Sequence, residues 1–164
     1  MADSIEKYTT DAEYRARTYE DLELGERFHS YWTSVSEEEM LRFSAEFDRQ
    51  YFHIDTEAAK GSPFGDVIAS GAHTFAVWNK VNLDVNGDIA WIAGLGFEDF
   101  HFPAPLRPDV EFRSVSELVS KRVSKSDPAR GVVQHRCELR TRDDQELFTA
   151  LVNALVVREV PQPD

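Results

Sequence analysis

The chain is short of cysteine, of basic charge and of long apolar runs, and each shortage excludes something. A single cysteine, Cys137, rules out an internal disulfide and a zinc site built from several cysteines, and points to a reducing compartment. Lys and Arg number 18 against 30 Asp and Glu, a formal net charge of −12. So acidic a chain suits non-specific binding of a phosphate backbone poorly, and nucleic acid is not an expected partner. The longest mostly apolar run, Ile89 to Phe97, contains two glycines and is far too short to span a bilayer. Nothing in Met1–Arg27 resembles the hydrophobic region of a signal peptide, and the segment is too acidic for a transit peptide. The expectation is a soluble, cytoplasmic protein with no membrane partner. Dinucleotide fingerprints, P-loops, internal repeats and low-complexity tracts are missing as well.

What is there is ordinary globular material. The 164 residues are 41% apolar and 29% charged, which suits one domain with one core. Residues 1–27 read as a polar extension, ordered in part or packed on a partner subunit, 28–158 as a single domain, and 159–164 as a tail. Phe28–Ser34 alternates and is rich in aromatics, as a strand does. Ser36 with Glu39 forms a capping box, and Met40, Phe43 and Phe47 follow at helical spacing, which predicts a helix from about Glu37 to Phe47. Asp48–Phe52 breaks that pattern, and Asp55 then caps a short helix ending near Gly61. From Ser70 to about Val81 the spacing predicts a second long helix with few charges, buried on most sides.

The second half reads as strands: 95–102, 110–121, 132–141 and 146–158, separated by a proline-rich bend at Pro103–Pro108 and two polar turns. Val133, His135, Cys137 and Leu139 alternate with Gln134, Arg136, Glu138 and Arg140, one dry face and one wet. The apolar face of 148–156 marks a central strand. This order implies an α+β domain in which an antiparallel sheet wraps one long helix. Residues 104–142 hold nine basic side chains against five acids, an island that suits an anionic ligand. The plainer reading is that wet strand faces carry Lys and Arg.

Chemistry concentrates at Asp48-x-x-x-x-His53. An imidazole and a carboxylate this close in the chain can hold one water and move protons near neutral pH. The plainer reading of His53 is a loop hydrogen bond. Further on, Phe64-Gly-Asp-Val-Ile-Ala-Ser-Gly71 opens the buried helix with small residues. Free N–H groups at a helix start favour developing negative charge, which equips Gly71 as a backbone oxyanion donor for a thioester carbonyl. Gly71 also serves close packing of helix on sheet. His73 and Cys137 read as core residues, and Ser62 and Ser70 have no base near them in sequence.

The segments FDRQYFHID and SPFGDVIASGAHT together resemble the MaoC-like dehydratases and (R)-specific enoyl-CoA hydratases, which have the hot-dog fold. The likeness runs from about Phe28 to Arg158. It implies Asp48 and His53 as the acid/base dyad, Gly71 as the oxyanion donor, and Asn79, eight residues on, as support for the catalytic Asp. Ser70, Arg107, Lys121, Arg122, Lys125 and Arg130 are the candidate substrate contacts, the basic ones toward CoA phosphates. No separate cofactor and no metal are implied, since the CoA or carrier-protein arm belongs to the substrate, and the family's assembly implies at least a homodimer. Two positions depart from the family pattern: Gln50-Tyr51 replace Asn-Pro, and Pro108-Asp109 lacks the Gly of Pro-Gly-Asp. Neither change removes a reacting group.

Three functions fit these residues. One is a hydro-lyase acting on an acyl thioester. Another is a non-catalytic acyl-thioester binding subunit on the same fold. A third is a metal enzyme using His53-Ile-Asp55 with a distant His101 or His135.

Overall fold

The computed structural model describes residues 16–159. Helix α1 (Glu37–Phe47) starts where the capping chemistry predicts, with Ser36 Oγ accepting from the Glu39 N–H at 3.2 Å. Two short helical turns follow, α2 (Tyr51–Ile54) and α3 (Thr56–Ala59). Asp55 caps the latter by accepting from the N–H groups of Glu57 and Ala58. The long helix α4 (Gly71–Asn86) is a full turn longer than its apolar spacing implies, because Asn82 and Asn86 continue its buried stripe with polar side chains.

The strands are β1 (Arg27–His29), β2 (Trp91–His101), β3 (Phe112–Val123), β4 (Arg130–Thr141) and β5 (Glu146–Val157). They form one antiparallel sheet in the order β1-β3-β4-β5-β2. β1 is shorter than the 28–34 alternation implies, with only an isolated bridge from Thr33 to Phe112 prolonging it. Alternation along β4 is as read from sequence: Val133, His135, Cys137 and Leu139 are buried, while the residues between them are not. The dry face packs on α4, so Trp78, Phe112, Leu139 and Phe148 join one core. Each such side chain gains roughly 1.5–3 kcal/mol by leaving water.

β2 is the exception. It is an edge strand, exposed at every residue after Trp91, and Leu95, Phe97 and Phe100 are among its exposed side chains. Its pairing with β5 slips three times, and Asp99 (φ 49°) sits in one of the slips.

The expected boundary at residue 28 needs moving. Residues 1–15 lie outside the described residues, but Leu22 is 1% exposed in a core cluster with Ile89, Leu118 and Val156. Arg17 joins Asp88 through two side-chain bonds, so the packed unit begins before the first strand. Leu22 and Leu24 stand alike among charges, and nothing in their spacing announces that the first is buried and the second exposed. Among the described residues, no helix is long and apolar enough to cross a membrane.

Candidate active site

Asp48 ends α1, its N–H bonded to the Ser44 carbonyl at 2.9 Å. The chain then turns through Gln50 into α2, which carries His53 inward until 5% of it is exposed. Sequence patterning left this turn unassigned because four residues are too few for a period. His53 Nδ1 meets the Ile68 carbonyl at 2.7 Å. A carbonyl only accepts, so Nδ1 carries a proton and Nε2 is left as the basic atom of the neutral ring. Nε2 faces Asp48 Oδ2 at 3.8 Å. That gap is too long for a hydrogen bond and wide enough for a shared water.

The anchoring carbonyl is itself pinned. Ile68 N–H donates to the Phe52 carbonyl at 3.3 Å and Ala69 N–H to the Leu106 carbonyl at 2.9 Å, so the segment before α4 is held between α2 and the proline-rich bend. A cleft of about 350 Å³ opens there, lined by His53, Ile68, Gly71, Thr74, Phe102 and Leu106. The N–H groups of Gly71 and Ala72, first in α4, make no hydrogen bond among the described residues. A Cβ on Gly71 would stand 3.0 Å from the Phe102 ring, so only glycine leaves this wall as it is. His53 and the helix start at Gly71, 18 residues apart in the chain, thus meet at one cleft, with Asp48 reaching it through His53 Nε2.

Other expected contacts fall elsewhere. Ser70 is fully buried and serves as the α4 cap, its Oγ accepting from the His73 N–H at 3.1 Å, so it secures the helix start and does not face a substrate. Asn79 is exposed two turns along α4 and lines a different cavity from that of the dyad. Of the five basic candidates, Arg107 alone stands beside the cleft, donating through Nη2 to the Phe64 carbonyl at 2.9 Å. Lys121 is committed to the carbonyls of Tyr19 and Leu22 and to the face of the Tyr19 ring. Arg122, Lys125 and Arg130 surround a hollow at the β3–β4 turn, the end of the sheet away from His101 and the cleft, and Arg130 pairs with Asp127 at 2.9 Å. The long antiparallel register carries this hairpin tip away from the site, which charge counting along the chain cannot see.

The metal-ligand set is not assembled either. Asp55 is engaged in capping α3, His101 lies with Asp99 and Glu138 beside the sheet, and His135 is buried on its inner face. Among the described residues, no three His, Cys, Asp or Glu side chains are grouped to hold a metal ion. His73 is buried and stacked on Phe43 at 4.2 Å, and burial lowers its pKa below the usual imidazole value. Sequence reasoning missed the Ile68 carbonyl and the Phe102 wall. The first is backbone and leaves no signal in side-chain identity.

The profile of the MaoC-like domain matches residues 21–137, most of the chain. The protein belongs to the MaoC-like domain family. A solved relative, the MaoC-like dehydratase from Rhodospirillum rubrum, is 32% identical and superposes with a TM-score of 0.82 over 88% of this chain and 99% of its own. The 3-hydroxyacyl-thioester dehydratase Z of Mycobacterium tuberculosis is 30% identical over 135 residues, 80% of this chain and 86% of that one. A second Mycobacterium tuberculosis protein, with a double hot-dog fold, matches at a TM-score of 0.75 and 15% identity over 91% of this chain and 46% of its own. At that identity the likeness speaks for fold alone. The MaoC-like chain therefore has the hot-dog architecture, α4 being the helix that the sheet wraps.

Proposed function

We propose that this MaoC-like protein is a hydro-lyase that adds water to a 2-enoyl thioester, or removes it from a 3-hydroxyacyl thioester. The observation that carries the reading is the 3.8 Å separation of His53 Nε2 and Asp48 Oδ2, with His53 lining the same cleft as the start of α4. A water held between the two groups donates one hydrogen bond to each and turns a lone pair toward the substrate. As its oxygen bonds to Cβ, Nε2 takes a proton and the double-bond electrons move onto the thioester oxygen. The Gly71 N–H, at the positive end of the helix, stabilises that charge. The proton then passes from Nε2 to Cα, and the thioester carbonyl re-forms. Dehydration is the same path reversed.

No separate cofactor enters this scheme, since the CoA or carrier-protein arm arrives with the acyl group. Family membership and the dehydratase relative support catalysis over a binding-only role. We take the working form to be a homodimer joined through β2, whose exposed apolar edge calls for a strand partner. The double hot-dog protein, of which this chain spans about half, supports the pairing of two such units. The test is a panel of 2-enoyl-CoA esters followed by loss of the conjugated thioester absorbance. Turnover that disappears in His53→Ala supports the reading, and no turnover of any ester by the wild type overturns it.

A further inference from the structure

A second cavity, of about 270 Å³, lies between the C-terminal half of α4 and the inner face of the sheet. Much of its wall is apolar, with Trp91, Phe97 and Val152, and none of its lining side chains is charged. One region is polar. Trp78, Asn82, Asn86 and His135 all line the cavity, and each is at least nine-tenths buried. Their hydrogen bonding does not close. Trp78 Nε1, Asn86 Oδ1 and His135 Nε2 have no partner among the described residues. Asn82 Oδ1 accepts from Asn86 Nδ2 at 3.3 Å and from Ser114 Oγ at 3.4 Å, which orients the amide and leaves Asn82 Nδ2 a free donor. Native proteins pair nearly all their buried polar atoms, so several open ones round one cavity mark the place of a molecule that pairs with them.

The cavity is in line with the dyad. Gly71, Phe75, Trp78, Asn82 and Asn86 recur three and four residues apart and form one stripe along α4. From Gly71 to Asn82 the helix rises about 17 Å at 1.5 Å per residue. An extended acyl chain advances about 1.25 Å per C–C bond, so roughly twelve carbons and a terminal oxygen reach about 15 Å and a hydrogen bond of about 2.9 Å closes the rest. Phe75, Phe97 and Phe100 pack against one another between the two cavities, so an acyl chain passing from one to the other must displace these rings.

We propose that this second cavity receives the far end of the acyl group and selects chains that end in an uncharged oxygen function, a hydroxyl or a ketone. The inference rests on the acyl-thioester reading above. Such an oxygen accepts from Asn82 Nδ2 and Trp78 Nε1, and a hydroxyl also donates to Asn86 Oδ1. A methyl end leaves all of these unpaired. A carboxylate end finds no cation, because burial keeps His135 neutral, with its pKa lowered to about 4.

The test compares kcat/KM of the full chain for 2-dodecenoyl-CoA, its ω-hydroxy form and its ω-carboxy form, with 2-butenoyl-CoA as a control too short to reach the cavity. The expected result is a preference of roughly tenfold or more for the ω-hydroxy ester over both others, since sites built to pair a hydroxyl reject analogues lacking it. In Asn82→Leu and Asn86→Leu that ratio should collapse toward one. Because each ratio is taken within a single protein, a loss of total activity does not mimic it, and the wild-type ratio stands if either variant fails to fold. Equal kcat/KM for the three long esters, with 2-butenoyl-CoA turned over, overturns the inference and leaves the hydro-lyase reading standing. No turnover of any of the four overturns both.

Discussion

His53 Nε2 and Asp48 Oδ2 stand 3.8 Å apart, while the other ring nitrogen of His53 is tied to the Ile68 carbonyl at 2.7 Å. The backbone bond sets the tautomer and the aim of the imidazole, and the wider gap leaves room for a water that both groups hold. Positioned proton transfer contributes about 10²–10⁴-fold. Asp48→Asn and His53→Ala should therefore each lower kcat by that order while thioester binding and the circular dichroism spectrum stay close to wild type. Groups acting on one water are not additive, so the double variant should be scarcely worse than either single. Stopped-flow hydration of 2-butenoyl-CoA measures all three, and full independent losses would contradict a shared water.

The proposed homodimer is joined through β2. Sedimentation equilibrium at micromolar protein should give the dimer mass. Leu95→Lys places a charge on an exposed apolar position of the edge and should shift the population toward monomer. A wild-type protein that sediments as a monomer would remove β2 as an interface.

Two basic residues from one stretch of sequence should behave differently. Arg107→Ala frees the Phe64 carbonyl beside the cleft and should raise KM with little change in kcat. Lys121→Ala removes a cation from two backbone carbonyls and an aromatic face, so it should cost about 1.5–3 kcal/mol of stability. Urea unfolding and steady-state kinetics separate the two outcomes. A KM effect at Lys121 without a stability loss would reverse the assignment.

Acid should weaken the fold well above the range where carboxylates titrate. Burial lowers the His135 pKa from 6.5 to about 4. Above pH 6.5 the ring is neutral in folded and unfolded chains alike, and its burial adds no pH-dependent penalty. As pH falls from 6.5 toward 4 the unfolded chain binds a proton that the native state refuses, so stability drops by about 1.4 kcal/mol per pH unit. The lowered pKa of His73 acts in the same direction. Urea midpoints at pH 7.5, 6 and 5 should decline in the wild type and less steeply in His135→Phe.

Asp109 occupies a left-handed backbone conformation, φ 59°, while its N–H bonds the Val35 carbonyl at 2.9 Å. This is the loop where the family pattern has glycine. Asp109→Gly should relieve the strain and leave stability equal or higher by about 0.5–1 kcal/mol, whereas Asp109→Val should lower it by more than 1 kcal/mol. Thermal unfolding reads both, and a marked loss in the glycine variant would show that the Asp side chain, not the turn, is what matters there.

Much of this protein is decided by local chemistry and was therefore legible in the sequence alone. The α1 start follows from a serine hydroxyl three residues before a glutamate N–H, and the dry side of β4 follows from strict alternation. Asp48, His53 and Gly71 were legible as a motif because their chemistry depends on residue type at fixed spacing. The burial of Leu22, the commitment of Lys121 to distant carbonyls and the displacement of Arg122, Lys125 and Arg130 from the cleft all depend on contacts about a hundred residues apart, or on strand register. Side-chain identity carries no record of such contacts. The Ile68 carbonyl that aims His53 belongs to the backbone, which every residue shares, so only tertiary structure could select it. The same holds for the cavity at Asn82 and His135: its residues come from α4 and from β2, β4 and β5, and become one site only when the sheet closes over α4.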